Sequence, residues 1–287
     1  DIAMYTAKKE GKMRYKIFDS SLYHILKDKV KLSEDIRIAL EQKQFVVYYQ
    51  PEIDAITGEI SYLEALIRWK HPVKGMVSPA EFIPLAEDIG KIPMIGVYVL
   101  KEVLEFKKQL NRMGYEKLPI SINVSIKQMI EKDFIEEFSQ IVKAAGIEAS
   151  QIIIEITEST FVDSFEEINA KLNLLNRKGF HIALDDFGTG YSSLSYLMRL
   201  PIQILKIDKY FIDDVTENHL SRSLMISIIE IAHNLGLKVV AEGVESKEQN
   251  EFLTSNGCDY IQGYYYSKPL PEAELIQILS SYKQSNK

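Results

Sequence analysis

Short apolar runs alternate with amphipathic stretches along most of this chain. Eight runs of strand length lie at residues 45–50, 60–67, 119–123, 151–156, 180–185, 203–207, 237–241 and 259–262. Stretches with helical periodicity separate most of them, at 93–113, 133–145, 163–178, 218–235 and 246–255, and one more follows at 271–282. Strand–helix alternation repeated about eight times predicts an α/β fold of the TIM (β/α)8 barrel type.

The connection between the first two runs is an exception to this plan. Residues 54–60 read Asp-Ala-Ile-Thr-Gly-Glu-Ile, whereas parallel neighbours need a crossover of about a dozen residues or more. We therefore expect an antiparallel hairpin here, which makes the fold a modified TIM barrel with one antiparallel strand.

Length and composition are compatible with one large barrel. The chain has 287 residues, of which 46% are hydrophobic, and its formal net charge is −7. This composition supplies a sizeable core, and the absence of a long basic run argues against a nucleic acid polymer as partner. An anionic, phosphate-bearing small molecule stays admissible if bound metal reverses the local field.

The cysteine content and the apolar runs bear on the cellular setting. Cys258 is the only cysteine, which excludes a disulfide framework and fits a reducing, cytoplasmic setting. No apolar run approaches the roughly 18 residues of a membrane span, so no membrane contact is expected from these residues. Because the chain begins at Asp1 without an initiator methionine, we expect a fragment of a longer protein, which could be membrane-anchored through preceding segments.

Each apolar run carries a polar residue within it or just beyond its end. These residues are Gln50, Glu64, Asn123, Glu155, Asp185, Lys206, Glu242 and Gln262. An inward carboxylate is costly unless it is paired or bound to metal, and functional groups of such barrels gather at the carboxyl ends of the strands. One such residue is explained by a surface charge with the strand register misread. Eight of them, one per strand, predict a shared site.

Oxygen ligands dominate this set. The amide and the five carboxylates concerned are Asn123, Glu64, Glu155, Asp185, Asp186 and Glu242. The carboxylates would repel one another without cations, and oxygen-only ligation favours Mg²⁺ or Mn²⁺ over Zn²⁺. Adjacent aspartates suggest a two-metal site in which each carboxylate binds one ion or one carboxylate bridges both. Two ions about 3.5–4 Å apart can stabilise the attacking and the leaving oxygen of an in-line phosphoryl displacement.

Asp185 and Asp186 follow a buried strand and precede a glycine-punctuated turn at 188–190. Because adjacent side chains of a strand point to opposite faces, both carboxylates can face one site only if the strand ends there. The alternative is an Asx turn in which Asp186 accepts hydrogen bonds from loop N–H groups.

Two further positions near the strand ends have more than one interpretation. Lys206 could orient an attacking water and neutralise charge on a phosphate, or it could form a simple salt bridge to Asp208 or a neighbour. Of Glu242 and Glu245, one could serve as metal ligand or proton acceptor while the other caps the helix beginning near Ser246.

Short motifs occur in one order over residues 44–275. They are Gln50-Pro51, Glu64-Ala65-Leu66 with Arg68, FIPLAE (82–87), SINVS (121–125), IEITES (154–159), DDFGTGYSSL (185–194), LKID (205–208), AEGVE (241–245) and QGYYYSKPL (262–270). In this order they resemble the EAL domain family of bacterial cyclic di-GMP phosphodiesterases, with no departure at the catalytic positions. The resemblance implies hydrolysis of one linkage of cyclic di-GMP to linear pGpG, or alternatively a catalytically silent cyclic di-GMP receptor.

The resemblance also implies roles for individual residues. Two ions, Mg²⁺ or Mn²⁺, would be held by the amide and five carboxylates named above. Glu64, Lys206 and Glu242 would be catalytic, the last two acting on the attacking water. Substrate contacts would come from Gln50, Arg68, Asp208, Glu245 and Gln262. Glu158 would steady the DDFGTG loop, which in the family tends to lie at a homodimer interface.

Other interpretations of single motifs carry less weight. Asp186-Phe187-Gly188 matches the kinase metal motif, but no glycine-rich nucleotide loop precedes it. An enolase-like barrel would share the Mg²⁺ site but lacks its Lys/His base pattern. The tyrosines at 264–266 could stack on guanine, although we expect at least one ring in the core.

The first residues do not resemble the start of a domain. Residues 1–22 carry a short apolar stripe, Gly11 and then Tyr15-Lys16-Ile17-Phe18, and they resemble the last helix and strand of a GGDEF domain. The alternative is an arbitrary amphipathic leader. We assign residues 23–43 to a linker helix and 44–287 to the barrel, and we expect upstream GGDEF and sensor domains in the full-length chain.

Overall fold

A computed structural model of the chain describes residues 20–158, 165–188 and 194–285. It divides into two compact units, Asp1–Val46 with Arg68–Ile95 and Val47–Ile67 with Gly96–Lys287. The interpretation of residues 1–22 as the end of a GGDEF domain falls almost entirely outside the described residues. It stays a prediction, as do the domain boundaries.

The smaller unit is built on an aromatic core. Its elements are helix α1 (Ser20–Glu41), the first residues of strand β1 (Phe45–Asp54), the last residues of β2 (Ile60–His71), strand β3 (Gly75–Val77) and helix α2 (Pro79–Asp88). The rings of Phe45, Trp69 and Phe82 are buried, with centroids 5.3–5.6 Å apart. The Trp69 indole N–H donates to Gln44 Oε1 at 3.0 Å. That α1 links two domains stays a prediction.

The larger unit is a closed barrel of eight strands. Around the barrel, β1 is followed by β9 (Tyr260–Ile261), β8 (Lys238–Ala241), β7 (Ile204–Ile207), β6 (His181–Phe187), β5 (Ile152–Thr157), β4 (Ile120–Asn123) and β2, which pairs back with β1. All neighbouring pairs from β2 to β9 are parallel. Strand β1 is antiparallel to β9. The predicted modified TIM barrel with one antiparallel strand is therefore confirmed.

The β1–β2 hairpin turns as its short sequence requires. The Asp54 carboxylate accepts from the backbone N–H groups of Ile56 and Thr57 at 2.9 and 2.8 Å, as expected of an Asx-type turn. The Asp54 N–H donates to the Glu59 carbonyl at 2.9 Å. A short strand, β10 (Leu270–Pro271), adds to β1 outside the barrel.

Helices follow most strands of the barrel. They are α3 (Ile92–Arg112), α4 (Ile126–Met129), α5 (Phe134–Ala144), α6 (Phe165–Arg177), α7 (Leu194–Leu197), α8 (Lys209–Asp213), α9 (His219–Asn234), α10 (Lys247–Ser255) and α11 (Glu272–Ser285). Helical spacing decides which side chains are buried: α5 buries Ile135, Phe138 and Val142. In the part of the chain that the structure describes, no helix is both long and apolar enough to span a bilayer.

A layer of apolar side chains fills the barrel beneath the polar residues. Ile153, Ala183, Ile204 and Val240 are buried together, with Tyr62 and Tyr260 packed against them. Side chains two positions apart share a face of a strand. Glu155, Asp185, Lys206 and Glu242 each lie two residues further on, so they form the next layer toward the carboxyl ends of the strands.

Candidate metal and nucleotide site

Glu64 on β2 is held by three neighbours. Asn123 Nδ2 donates to its Oε1 at 2.9 Å, and Gln262 Nε2 donates to its Oε2 at 2.6 Å. Lys206 Nζ lies 3.2 Å from the same Oε2. Burial opposes ionisation, but Lys206 and the two amides outweigh it and lower the pKa of Glu64. The carboxylate is therefore charged and fixed in orientation.

Lys206 is the cation of this layer. Its side chain is 1% exposed, and its Nζ lies 2.6 Å from Glu242 Oε1 and 3.1 Å from Glu155 Oε1. These are close ion pairs. Burial favours the neutral amine, but Glu155, Glu242 and Glu64 together raise the pKa of Lys206 well above its usual value. The lysine is therefore an ammonium ion.

A salt bridge from Lys206 to Asp208 is not among the ion pairs of the described residues. Asp208 instead begins α8, where its Oδ1 accepts from the Tyr210 N–H at 2.9 Å. Lys206 therefore pairs with carboxylates on or just after other strands of the barrel, Glu64, Glu155 and Glu242, and not with the aspartate two residues away.

We expect β6 to end at Asp185 if both aspartates face one site, but the strand does not end there. It continues to Phe187 through a bulge, with the register against β7 shifting between Leu184 and Phe187. Asp186 has a φ of 55°, in the left-handed region that aspartate adopts more readily than most residues. Asp185, Asp186 and Glu242 can consequently each offer a carboxylate oxygen within 4.8 Å of the others.

The alternative, an Asx turn in which Asp186 accepts from loop N–H groups, stays a prediction, because residues 189–193 of the loop lie outside the described part of the chain. Asp185 Oδ1 accepts from the Asp186 N–H at 2.8 Å. The Gly188 N–H donates to Glu158 Oε2, also at 2.8 Å. Glu158 therefore contacts the beginning of the DDFGTG loop, whose remaining residues lie outside the described part of the chain. Gly188 has a φ of 95°, and a Cβ there would collide with the Phe211 ring.

The electrostatics of this layer show an excess of buried negative charge. Burial raises the pKa of Glu155, Asp185 and Glu242, and it raises that of Asp186 to about 6, with Asp185 adding to the effect. Glu155 Oε2 is buried and has no hydrogen-bond partner among the described residues. A single ammonium ion is therefore not sufficient counter-charge, and the all-oxygen donor set suits a hard divalent cation.

Gln50 on β1 and Gln262 just after β9 extend the hydrogen bonds around Glu64 to the antiparallel β1–β9 pair. Gln262 Nε2 lies 3.4 Å from Gln50 Oε1, and Gln50 Nε2 donates to the Ser267 carbonyl at 3.0 Å. Gln262 Oε1 is buried without a partner in the described part of the chain. Of the two predicted substrate residues, Gln262 therefore lies beside Glu64 and Gln50 lies beside Gln262.

Glu52 belongs to this region and was missed by sequence reasoning. It is 2% exposed, and burial raises its pKa to about 7, with Lys206 opposing and Glu64 and Asp185 contributing. The signal that could have revealed it is the period-two alternation of β1, which puts residues 50 and 52 on one side of the strand.

Glu245 does not cap helix α10. The Ser246 hydroxyl accepts from the Gln249 N–H at 3.1 Å, and Gln249 Oε1 accepts from the Ser246 N–H at 3.0 Å, which is a capping box. Glu245 Oε1 instead lies 2.9 Å from Lys209 Nζ.

Arg68 and the tyrosines at 264–266 are the other candidate ligand contacts. Arg68 is half-buried on β2, four residues after Glu64, in the smaller unit. Of the tyrosines, Tyr264 is exposed, with Lys268 Nζ 5.2 Å from its ring centroid, and the Tyr266 hydroxyl donates to Asn250.

The fold and this site define a barrel protein with a carboxylate-rich, oxygen-donor centre at the carboxyl ends of its strands. The sequence model of the EAL domain matches residues 33–269, and the chain therefore belongs to the EAL domain family.

Several relatives share this domain. The chain is 38% identical over 276 residues to the bifunctional diguanylate cyclase/cyclic di-GMP phosphodiesterase MucR of Pseudomonas aeruginosa, covering 96% of this chain and 40% of MucR. It is 36% identical over 271 residues to the cyclic di-GMP phosphodiesterase PdeR of Escherichia coli, covering 94% and 41%. The chain thus spans about two fifths of the length of these relatives.

Solved structures agree with this assignment. The structure of the P. aeruginosa MucR phosphodiesterase in complex with cyclic di-GMP has a TM-score of 0.82 at 38% identity, covering 85% of this chain and 99% of that one. The EAL domain protein of Listeria monocytogenes has a TM-score of 0.76 at 33% identity, covering 86% and 97%.

Proposed function

We propose that this domain is a metal-dependent phosphodiesterase that hydrolyses cyclic di-GMP to linear pGpG. The observation that carries the proposal is a layer with more carboxylates than cations. Lys206 pairs with Glu64, Glu155 and Glu242, while Asp185, Asp186 and Glu242 can offer oxygens to one ion. Glu155 Oε2 has no hydrogen-bond partner in the described part of the chain. The MucR phosphodiesterase, whose structure holds cyclic di-GMP, supports the choice of substrate.

Two Mg²⁺ or Mn²⁺ ions are the proposed cofactors. Their ligands would be the oxygen donors Glu64, Asn123, Glu155, Asp185, Asp186 and Glu242. When bound, such ions polarise a phosphoryl group and make a bound water a better nucleophile. The fit rests on the donor chemistry, because every side chain of the set offers oxygen and the carboxylates outnumber Lys206.

The protein's own side chains would complete the reaction. A water oxygen bonds to phosphorus, the bond from phosphorus to the 3′ oxygen breaks, the water's proton passes to the Glu242 carboxylate, and the 3′ oxygen takes up a proton from solvent. Lys206 Nζ, held 2.6 Å from Glu242 Oε1, would offset the charge that develops on the phosphoryl oxygens. Glu64 is oriented by three partners, so it would bind a metal ion without reorganising.

Substrate contacts form a further part of the proposal. Arg68 would contact a phosphate, while Gln50, Asp208, Glu245 and Gln262 would line the dinucleotide site. Gln262 Oε1 is buried and has no hydrogen-bond partner among the described residues, which supports this, since it can accept from a ligand N–H group. Glu158 would position the DDFGTG loop through Gly188.

The setting of the domain is proposed from its family. We expect a cytoplasmic homodimer that works within a longer chain carrying a GGDEF domain, as the bifunctional name of MucR suggests. Sensor domains further upstream would supply regulation.

Product analysis tests the activity. The purified domain is incubated with cyclic di-GMP and Mg²⁺ or Mn²⁺, and the products are separated by chromatography. We expect pGpG, which is lost with EDTA and in Glu64→Ala. The exposed Glu131→Gln serves as a matched control that keeps activity. Tight binding of cyclic di-GMP without turnover would overturn the enzyme proposal in favour of a receptor, and neither binding nor turnover would overturn both.

A further inference from the structure

The loop after β8 carries two proposed functional residues and packs closely on one lysine. Glu242 begins this loop and Glu245 ends it, with Gly243 between them at a φ of 69°. A Cβ on Gly243 would lie only 2.5–2.8 Å from Cβ, Cγ and Cδ of Lys209. The aliphatic part of Lys209 therefore fills the space that the glycine leaves beside the loop.

The charged end of Lys209 holds the same loop. Its Nζ lies 2.9 Å from Glu245 Oε1 and 3.5 Å from the Gly243 carbonyl, to which it donates. On its own helix it lies 2.8 Å from Asp213 Oδ1. The Lys209 and Glu245 side chains are 42% and 52% exposed, so the ion pair alone is worth little. Packing on Gly243 restricts the stem and so favours one geometry of the pair.

Lys209 connects two strand ends of the proposed site. It is the first residue of α8, directly after Asp208 and three residues after Lys206 in β7. The loop that it contacts directly follows β8. Lys209 therefore fixes the carboxyl end of β7 relative to the loop that follows β8.

We propose that Lys209 is a positioning residue that holds Glu245 in place for a ligand at this site. The inference rests on the proposed function, because it takes Glu245 as a substrate contact. In the part of the chain that the structure describes, the polar contacts of Lys209 are to Glu245, Asp213 and the Gly243 carbonyl, and none is to a proposed metal ligand. Its effect would therefore pass through the Glu245 carboxylate and the Gly243 backbone, and it would act on ligand affinity more than on turnover.

A double-mutant cycle on the metal-loaded domain tests this proposal. Lys209→Met keeps the stem that packs on Gly243 and removes the charge, while Glu245→Gln removes its partner. We expect Lys209→Met to raise KM for cyclic di-GMP about two- to fivefold, the range of a partly exposed ion pair, with kcat within twofold. In the Glu245→Gln background the same substitution is expected to change KM no further, because the lysine acts through that carboxylate.

Two more variants separate charge from packing. Lys209→Arg keeps the charge and is expected to restore KM to within twofold of the original protein. Asp213→Asn removes the other partner of Lys209 and is expected to leave KM unchanged.

Equal effects of Lys209→Met with and without Glu245 would overturn the positioning role and leave the phosphodiesterase proposal standing. If the domain binds cyclic di-GMP without turnover, the Kd for cyclic di-GMP is measured for the same variants in place of KM. A domain that neither binds nor hydrolyses the nucleotide would overturn both proposals.

Discussion

Replacing Glu52 by glutamine is expected to stabilise the metal-free protein at neutral and alkaline pH. The carboxyl group is 2% exposed inside the barrel, and no hydrogen bond to it is found among the described residues. Burial is the main reason that its pKa is raised, and the nearby Glu64 and Asp185 add to the effect against Lys206. Glutamine has nearly the same shape and carries no charge that must be desolvated.

The size and the pH dependence of this gain follow from the pKa. The ordinary pKa is 4.5 and the value in the folded protein is about 7, a difference worth about 3 kcal/mol at 1.36 kcal/mol per tenfold change. Below pH 4.5 the group is neutral in both states and costs nothing. As pH rises from 4.5 to 7 the unfolded chain loses its proton first, so the free energy of unfolding falls. Glutamine removes this loss.

Urea unfolding in EDTA measures the effect at pH 4 and pH 8. We expect Glu52→Gln to match the original protein at pH 4 and to exceed it by up to about 3 kcal/mol at pH 8. The control is Glu230→Gln, a substitution at an exposed position of α9, which is expected to change little at either pH. No gain at pH 8, or the same gain at both pH values, would refute the assignment of a buried, costly charge to Glu52.

Two other substitutions test the layer, and a third tests a turn of the smaller unit. Lys206→Met is expected to lower the free energy of unfolding of the metal-free protein by about 3–5 kcal/mol at pH 8, since the surrounding carboxylates lose their cation; a urea midpoint within error of the original would contradict this. Asp186→Gly suits a φ of 55°, so it is expected to keep metal-free stability but lose the rise in Tm on adding Mg²⁺; an undiminished rise would exclude Asp186 as a ligand. His71 Nδ1 accepts from the N–H groups of Val73 and Lys74 at 3.1 and 3.2 Å. His71→Ala is therefore expected to speed hydrogen exchange at those two amides, whereas unchanged exchange would show that the turn does not need the ring.

The barrel could be predicted because its strands are apolar on both faces and its helices have one apolar stripe. Strand β5 was expected at 151–156 and is found at Ile152–Thr157. The reversed first strand followed from loop length alone, since seven residues cannot cross over a sheet. These features depend on local sequence, and local sequence is what periodicity measures.

The membership of the polar layer was also accessible, but its internal contacts were not. Glu155 and Lys206 stand out because a charge inside an apolar strand is costly. The hydrogen bond from Gln262 to Glu64 joins residues 198 positions apart, and it depends on how β9 closes the barrel beside β1 and β2. No local pattern specifies which amide orients which carboxylate.

The bulge at Asp186 shows a different limit. Strict alternation would put Asp185 and Asp186 on opposite faces of the strand. The positive φ of Asp186 breaks this alternation and brings both carboxylates to the same site. Aspartate tolerates that backbone, but most aspartates do not adopt it. Local sequence therefore permits this backbone but does not specify it. The nearby hydrogen bond from the Gly188 N–H to Glu158 joins residues 30 positions apart, which a local pattern cannot reveal.

Pro51 explains why Glu52 was missed. Proline donates no N–H to a sheet, so within an apolar run it argues for a strand end, and the first run was expected to stop at residue 50. The structure continues β1 to Asp54, and the register that pairs Ile53 with Ile261 brings Glu52 next to Gln262. Because β1 is reversed, the residues that approach the polar layer are those near its middle and not those at its carboxyl end. The rule that functional groups lie at the carboxyl ends of barrel strands therefore does not apply to β1.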